Sequence, residues 1–134
     1  GKFITFFYGI ADIEQKKFFF CNAGHNPPIL MHKNGYYESL EQGGVMLGVF
    51  YDAVFEQGEV ELIEGDRVLL YTDGVTESEN ADSEQFGIER TARILFDNKH
   101  ASPKEIQKKL LDEVTKFCGG EFQDDVTVML VAVR

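Results

Sequence analysis

Hydrophobic and polar positions along this chain alternate with two distinct periods, and the change from one to the other divides it into a strand-rich first part and a helical later part. Phe3 to Ile10 is β-branched and aromatic on both faces, which predicts a strand covered on both sides. Asp12 to Lys16 is a polar turn, and Lys17 to Ala23 reads as the antiparallel return of a hairpin. The prolines of Gly24-His25-Asn26-Pro27-Pro28 cannot donate to a ladder, so this segment is expected to be a loop. Asn34-Gly35 between Ile29–His32 and Tyr36–Leu40 predicts a tight hairpin, because both residues tolerate positive φ. Gly43-Gly44 and Leu47-Gly48 mark a loop or a close backbone approach. Val54 to Leu62 alternates as a half-buried strand, and Glu64-Gly65-Asp66 turns the chain into the apolar run Arg67 to Thr72.

After Asp73 the period changes. Ser78 to Gln85 is polar and acidic and is expected to be a mobile loop. Phe86 to Asp97 sets Ile88, Ala92 and Leu95 on one helical face. Ser102-Pro103-Lys104-Glu105 combines an N-cap serine, a proline at the first helical position and a capping-box glutamate. Ile106, Leu110, Val114 and Phe117 follow at helical spacing until Gly119-Gly120 stops the helix. Val126 to Val133 closes the chain as an apolar strand. Hairpin-linked strands with two late helices to cover a face predict an α+β layered domain of mostly antiparallel strands.

Composition narrows the function. A chain of 134 residues with 43% hydrophobic content and 12 Phe can build a core of its own. With 23 acidic against 13 basic residues the net charge is −10, which argues against a nucleic-acid backbone as partner. No apolar run approaches the ~20 residues that span a bilayer, and no signal-peptide pattern is seen, so a cytoplasmic location is expected. Cys21 and Cys118 lack CxxC spacing and are expected to be reduced core thiols.

The chemistry sits at two strand edges. Asp73 ends the run Arg67 to Thr72 and is followed by Gly74, where the absence of a side chain lets backbone come close to an ion or water. Asp124 precedes the closing strand in Asp124-Asp125-Val126-Thr127-Val128. Carboxylates on rigid supports suit a hard divalent cation, and adjacent strands would bring the two within the ~4 Å span of a bridged two-metal site. Either could instead serve a turn through its own side chain. Asp125 is a candidate cap or turn residue, and Thr127 a candidate hydrogen-bond partner for buried backbone. His25 is a candidate general acid held on a defined loop, or simply a loop anchor. Arg90 reads as a salt-bridge or carbonyl partner rather than a phosphate clamp. Glu77 and Glu79 follow Asp73 closely enough to contribute charge, with no firmer role.

Six segments, taken in order, carry a family resemblance. Phe7-Tyr8-Gly9-Ile10-Ala11-Asp12, Asn22 to Pro28, Gly43 to Gly48, Gly65 to Glu77, Phe86-Gly87-Ile88-Glu89-Arg90 and Asp124-Asp125-Val126-Thr127 resemble the bacterial SpoIIE/RsbU-type phosphatases of the metal-dependent, type 2C-like protein phosphatase superfamily. The resemblance implies a layered α-β-β-α sandwich in which Mn²⁺ or Mg²⁺ activates a water that attacks phosphoserine or phosphothreonine. It carries the metal-ligand role over to Asp73 and Asp124; Gly74, Asp125 and Thr127, their neighbours in the chain, are candidate supporting residues. It further implies a phosphorylated protein substrate of the anti-anti-sigma type, and an upstream chain holding the rest of the domain and a sensor module.

One element of that family pattern has no counterpart. The Gly-Asp-x-x-Gly-x-Gly motif, whose Asp bridges both ions, matches nothing here, since Gly65-Asp66 runs straight into a strand. Residues 1–134 are therefore expected to be the C-terminal portion of a single phosphatase domain, incomplete at its N-terminal side. Alone it should bind metal weakly, hydrolyse little, and self-associate through uncovered edges. Two other readings compete: a non-catalytic interaction domain that kept the fold, and an acidic calcium module. The latter is disfavoured by the lack of a D-x-D-x-D-G loop.

Overall fold

The computed structural model describes all residues, 1–134. Its first sheet is built around β2 (Lys17–Ala23), which pairs antiparallel with β1 (Phe6–Asp12) and β6 (Gly58–Glu61) and parallel with the short β5 (Gly43–Gly44). The second sheet runs β4-β3-β7-β8 and is antiparallel throughout, from β4 (Tyr37–Ser39) and β3 (Ile29–Met31) to β7 (Arg67–Tyr71) and β8 (Val128–Ala132). Three helices complete the chain: α1 (Asp73–Thr76), α2 (Gly87–Asp97) and α3 (Pro103–Phe117).

The pleat of β7 organises the layers, because successive side chains leave a strand on opposite faces. Val68 and Leu70 face the first sheet and meet Phe20, Leu30 and Leu40 in the sandwich core. Leu69 and Tyr71 face the helices and join Ile29, Leu95, Ile106, Leu110 and Val114. Each fully buried leucine in these clusters contributes about 1.5–3 kcal/mol. The result is an α+β arrangement of two mostly antiparallel sheets with helices on one side, as expected.

The helices follow their sequence signals closely. Both halves of the capping box on α3 form: Ser102 Oγ accepts from Glu105 N at 3.3 Å, and Glu105 Oε2 accepts from Ser102 N at 2.8 Å. The Asn34-Gly35 hairpin forms between β3 and β4, with Gly35 at φ 93°. Gly43 lies so close to β2 that a Cβ there would sit 1.8 Å from the Asn22 carbonyl oxygen, which accounts for the glycine pair.

Four expectations need correction. The first strand spans Phe6–Asp12 and is an edge strand, not one covered on both sides; Phe6, Tyr8 and Ile10 are half exposed or more, at 50%, 57% and 51%. Phe7 alone in that run packs into the sandwich. The strand expected over Val54 to Leu62 shortens to Gly58–Glu61, and Val54 is exposed, because only that stretch finds β2 to pair with. Ser78 to Gln85 is not a loose loop: Asn80 Oδ1 accepts from the amides of Asp82 and Glu84 at 3.0 and 2.9 Å, and Glu79 bridges Gln85. Cys118 is a buried free thiol, whereas Cys21 is only half buried, opposite Tyr8 on the outward face of β2.

Met129 and Val131 on β8 point to the sandwich side, opposite Leu70 and Val68, yet are 53% and 44% exposed. That part of the sandwich face is left largely uncovered. The outward face of β1 is likewise uncovered.

Candidate metal centre

β7 and β8 are hydrogen-bonded neighbours, so the ends of both motifs meet at one edge of the second sheet. The junction is held by Thr72. Its amide donates to the Thr127 carbonyl at 3.1 Å, its hydroxyl donates to the Asp125 carbonyl at 2.9 Å, and the same hydroxyl accepts from the Thr127 amide at 2.9 Å. One side chain thus fastens the segment before β8 to the end of β7.

Gly74 closes the junction further. A Cβ built there would lie 2.5 Å from the Asp125 carbonyl oxygen and 3.2 Å from that of Asp124, distances that no alanine could keep. The segments carrying Asp73 and Asp124 therefore touch through backbone, as the adjacency of the two motifs requires. Asp73 opens α1, is exposed, and its carboxylate accepts no hydrogen bond from the protein. Asp124 is also exposed and uses one oxygen, Oδ1, to accept from the Asp125 amide at 2.7 Å.

Asp124 lines a cleft of about 210 Å³ together with Gly74, Glu77, Ser78 and Gln123, without one hydrophobic side chain. Ser78 is buried there and donates its hydroxyl to the Gly74 carbonyl at 2.6 Å, bracing the turn. The donors available are oxygens, the chemistry that Mg²⁺ and Mn²⁺ prefer. They are also few, and nowhere do three or more His, Cys, Asp or Glu residues assemble into a metal-binding group. The residues present fit a share of a cation site and fall short of a whole one.

A model of the family described as Stage II sporulation protein E (SpoIIE) matches residues 1–134. The chain belongs to the SpoIIE family. Protein IcfG of Synechocystis sp. is 30% identical over 130 residues, and the phosphoserine phosphatase RsbU of Bacillus subtilis is 29% identical over 132. Both matches take in 96% of this chain but only 20% and 38% of those proteins. The fold matches the SiaA-PP2C domain of Pseudomonas aeruginosa with a TM-score of 0.86 at 19% identity, over 98% of this chain and 52% of that one. The chain thus shares the fold of a solved PP2C domain, of which it spans about half, and it spans less than half of the curated relatives it matches.

His25 does not line the Asp124 cleft, although its loop enters β3 at the same end of the sheet as Asp73: its ring meets Thr5 Oγ1 at 3.3 Å, and its backbone is held by Asn22, which accepts from the His25 amide at 2.7 Å and donates to its carbonyl at 2.9 Å. These bonds anchor the loop. Thr127 precedes β8 rather than sitting inside it, is exposed, and its hydroxyl satisfies no backbone group. The expectation that the Thr127 hydroxyl satisfies backbone is corrected: at this junction it is the Thr72 hydroxyl that does so. Asp125 contributes its backbone carbonyl to the junction. Arg90 donates to the carbonyls of Gln85 and Phe86 at 2.8 and 3.0 Å, as a carbonyl partner.

The sequence pattern does not single out Thr72 and Ser78 as supports; the available signal is a hydroxyl next to the Asp-Gly turn and another one helical turn after it, since Ser and Thr readily bond nearby backbone at such ends. Nor does the pattern mark the buried carboxylate. Asp66 is 1% exposed and accepts from His32 Nδ1 at 3.1 Å and from the amides of Ile63 and Lys33 at 3.0 and 3.3 Å. It joins the β6–β7 turn to the β3–β4 hairpin, at the opposite end of β7 from Asp73.

Proposed function

We propose that residues 1–134 are the C-terminal share of the catalytic domain of a metal-dependent protein serine/threonine phosphatase, in which Asp73 and Asp124 are metal ligands. The observation that carries this reading is the Thr72–Gly74 junction, which brings the two segments into backbone contact while leaving the Asp73 carboxylate without a protein partner. Mn²⁺ or Mg²⁺ is the cation such oxygen donors suit. Bound there, it would lower the pKa of a coordinated water toward neutrality and offset charge on the phosphoryl group. This chain's own residues do the positioning: Thr72 fixes the Asp125–Thr127 backbone, Gly74 permits the approach, and Ser78 holds the turn that follows Asp73.

In the net reaction the water oxygen bonds to phosphorus, the bond from phosphorus to the seryl oxygen breaks, and that oxygen regains a proton. Serine and inorganic phosphate result. A phosphorylated bacterial regulator of the anti-anti-sigma type is the proposed substrate, supported by the similarity to the phosphoserine phosphatase RsbU. The uncovered faces at Phe6, Tyr8 and Ile10 and at Met129 and Val131 support a larger domain in which upstream chain completes the layers and the ligand set. The isolated chain is accordingly expected to be inactive. A cytoplasmic location is proposed with this reading; no helix in the chain is long and apolar enough to cross a membrane.

The deciding measurement is Mn²⁺-dependent phosphate release from a phosphoserine protein by the complete phosphatase, beside its Asp73→Asn and Asp124→Asn variants. Loss of activity in both, with weaker Mn²⁺ binding, is expected. Full activity in either would remove that residue from the centre. No turnover in the wild type would favour the non-catalytic interaction domain instead.

A further inference from the structure

Three clefts adjoin on one side of the molecule. The Asp124 cleft shares Gln123 with a second cleft of about 540 Å³, whose walls include Phe117, Phe122 and Lys116. That second cleft shares Lys116 and Phe117 with a third, of about 680 Å³, lying between α2 and α3. Gln123, Lys116 and Phe117 thus link a row of three clefts that runs from Asp124 to the helical layer.

Charge changes sign along this row. The whole chain has 23 acidic and 13 basic residues, but the α2–α3 groove is lined by four cations, Arg90, Arg93, Lys109 and Lys116, against two carboxylates, Asp97 and Glu113. All four cationic residues are exposed. Arg90 is held in place: its guanidinium lies 4.8 Å from the centroid of Phe117 while Nη1 bonds two carbonyls, so ordering it for a ligand costs little further entropy. Phe117 is itself fixed by an edge-to-face contact with Phe86 at 5.3 Å. Along the intervening passage Phe122 is 41% exposed and offers an apolar contact.

We infer that this row of clefts is the docking path for the polypeptide flanking the phosphorylated serine, and that it selects substrates carrying acidic residues at a distance from that serine. The inference rests on the proposed phosphatase reading, since the phosphoserine must lie at the Asp124 end. An extended segment would set an apolar residue against Phe122 and place its carboxylates beside Arg93, Lys109 and Lys116. Arg93 pairs with Asp97 at 3.6 Å, Lys109 with Glu113 at 2.9 Å, and Arg90 lies 4.0 Å from Glu84, so an acidic segment would find Lys116 unpaired and would share the other cations with these exposed carboxylates.

The test uses the complete Mn²⁺-loaded phosphatase and two phosphoserine peptides of equal length, one with an acidic flank and one with that flank neutral. The wild type should favour the acidic peptide by about tenfold in kcat/KM at low ionic strength, chiefly through KM, with the preference shrinking as salt is added. Lys109→Glu combined with Lys116→Glu should bring the ratio to one or below, and the milder Lys109→Gln/Lys116→Gln pair should bring it part of the way. Equal use of both peptides by the wild type, or a preference that survives charge reversal, overturns the docking path while leaving the phosphatase reading intact. A reversal that alters sedimentation of the enzyme but not the ratio also overturns it, and assigns the groove to contact between copies. Absence of Mn²⁺-dependent turnover of either peptide by the wild type sinks the phosphatase reading, and the docking path with it.

Discussion

Gly74→Ala isolates the junction on which the candidate centre depends. Taken alone, α1 would gain from the change, since alanine is favoured over glycine in a helix by about 1 kcal/mol. The new Cβ, however, would lie 2.5 Å from the Asp125 carbonyl oxygen, 3.0 Å from its carbon and 3.2 Å from the Asp124 carbonyl oxygen, where ordinary contact begins at 3.4 Å. Relief requires the Asp124–Asp125 backbone to retreat by about 0.9 Å, and overpacking of this kind costs about 1–3 kcal/mol. The two terms leave a net destabilisation of about 0–2 kcal/mol. The effect on chemistry should be far larger. A displacement near 1 Å at a reacting centre costs on the order of 100-fold in rate, and here it moves a proposed ligand against its partner. Thr72 would be strained as well, because its hydroxyl bonds to Asp125 and Thr127 span the same gap. In the complete phosphatase we expect weakened Mn²⁺ binding by calorimetry and roughly 100-fold lower phosphate release, with only a small change in Tm. A Gly74→Ala enzyme that is more stable, binds Mn²⁺ normally and turns over at the wild-type rate would refute the contact argument.

Other consequences concern the frame around the site. Burial would lower the pKa of His32, but the hydrogen bond to Glu38 and the charge and hydrogen bond of Asp66 outweigh it and raise the pKa above 6.5. A raised folded-state value means that the stabilisation is fully present below about pH 6.5 and is lost as pH climbs through the higher folded value. Denaturant midpoints should fall over that window, and His32→Gln should flatten the slope; an identical slope in the variant would rule this histidine out. Asp66→Ala takes the acceptor from two backbone amides and from His32 in a part-buried setting and should cost about 2 kcal/mol by urea unfolding, whereas a loss below ~0.5 kcal/mol would mean that water or other groups replace it. The isolated chain should self-associate through the outward face of β1, and Tyr8→Glu with Ile10→Lys should shift it toward monomer in sedimentation velocity. A monomeric wild-type chain at high concentration would contradict that.

How much could be read from sequence depended on whether the deciding partner was local. Helix α3 was fully legible because cap, proline, apolar stripe and glycine stop all lie within Ser102 to Gly120 and agree. The β3–β4 hairpin was legible for the same reason, through Asn34-Gly35. The exposure of β1 was not: aromatic residues on both faces announce that both should be covered, but not by which segment. Within residues 1–134 only Phe7's side is covered. The order in Ser78 to Gln85 was hidden because a single polar side chain, Asn80, supplies the turn, and composition alone makes such a run look unstructured. Thr72 escaped because its partners, Asp125 and Thr127, are distant in sequence, and only the β7–β8 register brings them within reach.

The two aspartates that flank β7 show why motif and environment must be read together. Asp66 and Asp73 belong to one continuous motif and look equally able to hold a cation. Asp66 is buried, and its oxygens are occupied by His32 and two amides, so it has little capacity left for a metal and its removal should be felt as lost stability. Asp73 is exposed and accepts nothing from the protein, which makes it a poor contributor to the fold and a suitable ligand. The same strand therefore anchors its turn at one end and presents chemistry at the other. Substitutions at the two positions should separate accordingly: Asp66→Ala acts on unfolding, Asp73→Asn on Mn²⁺ binding and phosphate release.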